Sequence, residues 1–220
     1  MIEETCRKMF LSLLPENIDK FSKEKKSSPK DGLKVYALAW AATFTLSLIV
    51  LAIGIFRDGM DTAVSNYLGF AVSGAFSFAA FLLISIFGLI WGIAATYAAQ
   101  YAGNWVAKNA FNGKADFPSQ FWLIMLFSGA LMVADSILGL LSYLAPILEI
   151  PIGLFSLLLG IYGVYLMYYG MKSIHKLEAS GAIVSVLSIM LVQALIFMAI
   201  AFFVGMLMVL LGVTALAPQL

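Results

Sequence analysis

Charge, cysteine and histidine are scarce in this sequence, and each shortage removes a class of function. Asp, Glu, Lys and Arg make up 11% of the 220 residues, and 13 basic against 12 acidic groups leave a net charge of +1. No global field therefore points to nucleic acid. Cys6 is the single cysteine, which excludes an intrachain disulfide and a multi-cysteine metal site. His175 is the single histidine, so neither a His-rich metal site nor H-E-x-x-H can be built. The phosphate-cradling G-x-x-x-x-G-K-[ST] loop and the G-x-S-x-G elbow are absent too. Asp58 and Asp61, a candidate carboxylate pair, read as a solvated polar turn. These exclusions predict a protein that is not an enzyme and calls for no metal or cofactor.

What fills the chain instead is apolar. Hydrophobic residues make up 62% of it, against roughly 45–50% in an ordinary soluble domain. A water-soluble fold of this size has no interior large enough for that surface. The chain reads as an all-α integral membrane protein with five transmembrane helices. Each needs about 20 apolar residues to cross roughly 30 Å of hydrocarbon. Runs at 33–56, 75–101, 120–142, 152–171 and 181–212 meet that length. The stretch TAVSNYLGFAVSGAFS before the second span is rich in Gly, Ser and Ala and reads as loop and entry. Pro146 and Pro151 put a bend between the third and fourth spans. The fifth run lacks the turn residues of a hairpin and reads as one long helix.

Basic residues orient the spans. With the N-terminus cytoplasmic and the C-terminus outside, the inner segments hold Arg7, Lys8, Lys20, Lys23, Lys25, Lys26, Lys30, Lys34, Lys108, Lys114, Lys172 and Lys176. The outer segments hold only Arg57. That asymmetry obeys the positive-inside rule. Tyr97, Tyr101, Trp105, Phe121, Trp122, Tyr165, Tyr168 and Tyr169 fall near the inner helix ends, as an aromatic belt would.

The chain divides at residue 32 into a cytoplasmic segment, 1–32, and a membrane domain, 33–220. In the first, Ile2, Cys6, Met9, Phe10, Leu13 and Leu14 recur at helical spacing opposite Glu3, Glu4, Arg7 and Lys8. This predicts a short interfacial helix. Pro15 starts a second turn carrying Ile18 and Phe21, and KEKKSSPK sets lysines beside the anionic leaflet. The early residues lack the apolar core of a signal peptide, so the first span is expected to insert as an uncleaved anchor.

Asp135 interrupts the third span. It lies fifteen residues beyond Gln120, roughly 23 Å in and past the midplane. An Asp at a helix centre costs about 2.5–3.5 kcal/mol. Ser128, Met132, Asp135, Gly139 and Ser142 form one stripe, which should face the bundle. No Lys or Arg lies at that depth, and Gln193 and Tyr162 are the candidate donors. Three readings remain open: a protonated packing residue, a proton or cation site in a polar cavity, or an outer-leaflet water pocket with no transport. Gly88 and Gly92 form a G-x-x-x-G. With Gly139, Gly160 and Gly163 they are candidate packing positions for a compact bundle, and they also allow an oligomer. His175, in MKSIHKLEASG, reads as solvated or headgroup-facing, and with Lys172 and Lys176 it is a candidate cytoplasmic contact.

The block YLAPILEIPIGLFSLLLGIYGVYLMYYGMKSIHKLEASGAIVS resembles the C-terminal half of the YIP domain family, the Ypt/Rab-interacting membrane proteins. The matching features are Pro146 and Pro151 in a bend, Tyr162 and Tyr165 among small residues, Gly170, then His175 with Leu177 and the small-residue start at 179–182. AKNAFNGKADFPSQF resembles the link before the third span, and LLPENIDKFSKEKKSSPKDGLKVYALA is similar to short prokaryotic members. The resemblance implies five spans, a cytoplasmic N-terminus and a trafficking-related or membrane-organising adaptor. It would act on the bilayer, on other membrane proteins or on its own copies. Eukaryotic members associate with prenylated small GTPases, but their D-L-Y-G-P motif is absent here, so GTPase binding is not carried over. The expected location is a prokaryotic cytoplasmic membrane, with endoplasmic reticulum or Golgi as the alternative. The expected contact surface is the N-terminus with the loop at 172–178. The alternative function is a small ion, proton or solute transporter, or a channel component, built on Asp135, Gln193 and Tyr162.

Overall fold

The computed structural model describes residues 2–24, 26, 28–68 and 76–210, with side chains for all but 67–68, 76–80 and 207–210. The chain is an all-α, multi-pass protein. Its elements are α1 (Ile2–Leu11), α2 (Pro15–Phe21), α3 (Lys30–Asp58), α4 (Met60–Leu68), α5 (Phe76–Phe111), α6 (Phe117–Leu144), α7 (Glu149–His175) and α8 (Ala179–Leu210). A single 3₁₀ turn, Pro146–Leu148, joins α6 to α7. The described residues contain no strand. Helices α3, α5, α6, α7 and α8 are each long and apolar enough to cross a bilayer.

Contacts along the helices fix their directions. Phe121 lies against Gly32 and Tyr143 against Gly54, so α3 and α6 run the same way. Leu131 meets Gly163 and Phe127 meets Gly170, so α7 runs back along α6. Ile189 meets Gly103 and Phe111 meets Gly181, which sets α8 antiparallel to α5. The lysines of α3, α5, α7 and the 112–116 loop thus collect at one end of the bundle, and Arg57 lies at the other.

Helix α6 is the central element. Asp116 caps it by accepting from the Ser119 N–H at 2.9 Å, with a proline in the first turn. From Ser119 to Phe127 every residue is buried, because α3, α5, α7 and the two short N-terminal helices surround this half. Beyond Ala130 its residues are only partly covered or exposed.

Three boundaries differ most from the sequence expectation, and one long span agrees with it. Residues Met60–Leu68 form α4 rather than loop, because Ala63 and Val64 pack into a small core with Leu51 and Phe81. The rest of that expected loop, 69–75, lies outside the described residues. Helix α5 runs to Phe111, ten residues past the expected end, because one face of the added turns, Gly103, Asn104 and Ala107, is buried against neighbours. Pro151 sits in the first turn of α7, where its missing N–H costs nothing. Helix α8 is continuous to Leu210, as expected, and 211–212 lie outside the described residues.

Candidate functional site

The second half of α6, left uncovered, opposes α7 and α8 across an open groove of about 470 Å³. Asp135 and Gln193 both line it, with Ser128 and Met132 on α6 and Ser156, Gly160 and Gly163 on α7. Asp135 is exposed, and no hydrogen bond or ion pair reaches its carboxylate among the described residues. The remaining wall is apolar: Leu131, Leu159, Val164, Met167 and Met190. The arrangement offers one acid and one amide to whatever lies alongside. Among the described residues no group of three or more His, Cys, Asp or Glu is placed to hold a metal ion.

Tyr162, the other expected donor, is elsewhere. Its hydroxyl donates to the carbonyl of Leu13, in the link between α1 and α2. The expected packing glycines divide similarly. A Cβ on Gly92 would stand 2.3 Å from the Tyr36 hydroxyl, and one on Gly163 would stand 3.0 Å from Leu131. Both are close helix approaches. Gly88, Gly139 and Gly160 have open space instead, with nothing within 4 Å of an added Cβ among the described residues.

The two N-terminal helices fold onto α6 and α7. Met9 reaches Gly129, and Ile18 and Phe21 are buried. Asp19 accepts from the Tyr169 hydroxyl at 2.8 Å and from the Ser173 hydroxyl at 2.6 Å. Phe21 meets Trp122 edge-on, with ring centroids 6.4 Å apart. Tyr169 and Trp122 therefore hold the N-terminal segment, a use the aromatic-belt reading did not foresee. Ile2, Phe10, Leu11 and Leu14 stay exposed.

His175 is the clearest departure from expectation. It is 1% exposed, because the 112–116 loop folds over it. A Cβ on Gly113 would stand only 2.6 Å from its Nδ1. The Ala115 N–H donates to Nδ1 at 3.3 Å, which leaves the proton on Nε2, 2.8 Å from the Gln120 Oε1 acceptor. Asn104 donates to the same oxygen at 2.9 Å. Gln120 in turn donates to the carbonyl of Gln100 at 3.0 Å. Four polar side chains from α5, α6 and α7 thus close a buried network. His175 lies four residues beyond Met171, where the apolar run ends. Burial, and then the Lys108 charge, push its pKa down to about 4 against an opposing pull from Asp116. Sequence reasoning missed this network, although Gln100 and Asn104, one helical turn apart in a charge-free run, were a signal. Lys172 and Lys176 remain exposed.

The profile of the Yip1 domain matches residues 21–201. The chain belongs to the Yip1 domain family. The matched Yip1 domain contains Asp135, Gln193 and the His175 network, while α1 precedes it. Comparison with curated proteins and with solved structures finds no match.

Proposed function

We propose that this Yip1-family protein is a non-catalytic membrane scaffold or adaptor. Its lysine-rich end faces the cytoplasm, by the positive-inside rule, in a prokaryotic cytoplasmic membrane. Its partner-binding element is the groove of α6, α7 and α8. The occupant is a transmembrane helix of a different membrane protein, carrying a basic side chain at the depth of Asp135. The exposed Asp135 carboxylate beside Gln193 carries this reading. Left against lipid, an Asp at a helix centre costs about 2.5–3.5 kcal/mol, and a donor from a docked helix offsets that cost. This chain has no Lys or Arg at that depth, so a second copy brings no counter-charge. Gly160 and Ser156 let a helix backbone approach closely. The exposed Lys172 and Lys176 supply a cytoplasmic contact, whereas the inward face of the N-terminal helices is already used within the chain. Transport is the weaker reading, because the apolar walls beside Asp135 give an ion no polar route.

A photo-crosslinking residue at Gly160 tests this in intact membranes. The expected product is a covalent adduct mapping to a partner's transmembrane helix, within a turn of a basic residue, and lost in Asp135→Leu. An adduct only to lipid or to a second copy overturns the proposal. Proton or sodium flux in proteoliposomes that vanishes in Asp135→Asn replaces it with the transport reading.

A further inference from the structure

A second cavity, also of about 470 Å³, lies at the lysine-rich end between α1 and the first turns of α3 and α6. Its rim holds Lys8, Lys26 and Lys34 together with Glu4 and Asp31, and Val35, Leu38, Trp122 and Leu126 line its apolar part. We infer that this cavity is a binding site for a zwitterionic phospholipid bearing a primary ammonium, of the phosphatidylethanolamine class. The lysines would take the phosphate, Glu4 and Asp31 the ammonium, and the apolar residues the start of an acyl chain.

Charge complementarity selects the headgroup. The rim carries both signs within one cavity, and Glu24 outside it bridges Lys8 at 2.9 Å and Lys26 at 3.6 Å. An anionic headgroup would answer the lysines but leave Glu4 and Asp31 facing negative charge. The existing pairs, Lys8 with Glu4 at 3.5 Å and Lys34 with Asp31 at 3.5 Å, are partly exposed and held weakly enough to exchange partners. A choline headgroup has no N–H to give a carboxylate, and it would need an aromatic face. The Trp122 face is already taken, with the Lys26 ammonium 4.3 Å from the ring centroid. The cavity is lined by α3 around Val35 and Leu38, near the start of the apolar run, so headgroup and acyl chain meet where the side chains change from charged to apolar.

Native mass spectrometry on the full chain in detergent, titrated with dioleoyl phosphatidylethanolamine, phosphatidylcholine and phosphatidylglycerol, tests this. The expected result is preferential retention of the ethanolamine lipid by about tenfold over the other two. Lys8→Gln with Lys26→Gln should remove that preference. Glu4→Gln with Asp31→Asn, which leaves the lysines and the Trp122 contact in place, should shift it toward phosphatidylglycerol. Equal retention of all three lipids, a wild-type preference for phosphatidylglycerol, or a preference unmoved in the Glu4/Asp31 variant overturns the assignment. The second variant decides the matter even where loss of the Lys8–Glu24 pair unfolds α1.

Discussion

The Tyr169 hydroxyl donates to Asp19 Oδ2 at 2.8 Å, joining residues 150 apart in sequence. Asp19 also accepts from Ser173, so one carboxylate of α2 is held by two hydroxyls on adjacent turns of α7. This clasp and the apolar contacts of Met9, Ile18 and Phe21 keep the N-terminal helices on the bundle. Asp19→Ala should raise hydrogen exchange across residues 2–21 several-fold and leave α6 and α7 unchanged. Equal exchange in both proteins would show that the apolar contacts alone hold the pair.

Gly113 has no room for a methyl group. Its added Cβ would stand 2.6 Å from His175 Nδ1 and 2.8 Å from the Ala107 carbonyl oxygen, and the second is backbone and cannot swing away. Gly113→Ala should therefore destabilise the protein by about 1–3 kcal/mol, the usual cost of overpacking. Thermal unfolding in detergent reads this directly, and an unchanged midpoint would mean that the loop shifts freely.

The buried imidazole makes stability depend on pH in one direction. Its pKa falls from 6.5 in the unfolded chain to about 4 in the folded one, so the folded state resists protonation. Its contribution is fully present above pH 6.5 and is lost as the pH falls from about 6.5 to 4. At about 1.4 kcal/mol per pH unit, the loss is at most about 3.5 kcal/mol. Lys108 and Asp116 are the charged groups that act on it. Melting temperatures at pH 7.5 and 4.5 should differ more for the wild type than for His175→Asn. Parallel shifts in the two proteins would assign the pH dependence to other groups.

Gly160 and Gly92 should respond differently to the same change. Gly160→Leu extends into open groove and should leave stability within about 0.5 kcal/mol, while blocking a helix docked beside Asp135. Gly92→Leu drives a side chain into the Tyr36 hydroxyl, 2.3 Å from its Cβ, and should cost about 1–3 kcal/mol. Comparable losses at both positions would mean that the groove closes in the membrane.

The five spans were legible because bilayer thickness dictates their length, and the long α8 was read correctly as one helix. Helix ends at the lysine-rich side were less legible. Gln100 and Asn104 look like an exit from the membrane, but their helix continues because Gln120 satisfies both. His175 was misread because its burial depends on Ala115, which is 60 residues away and comes back over it. Asp135 and Gln193, matched by depth along their helices, line one groove, although no hydrogen bond joins them among the described residues. Tyr162 was included by the same arithmetic and fails for a reason that depth ignores. At about 100° per residue it points away from the face that Gly160, Gly163 and Met167 give to the groove.

The clasp between α2 and α7 also has a consequence for how the protein is made. Asp19 leaves the ribosome long before Tyr169 is synthesised, and at about 5–20 residues per second the interval is roughly 8–30 s. During that time α1 and α2 have no α7 to rest on. Met9, Ile18 and Phe21 must then lie on the bilayer surface or on a chaperone. The first helices of the chain are thus among the last to be seated, and an error in inserting α7 would show first as a loose N-terminus.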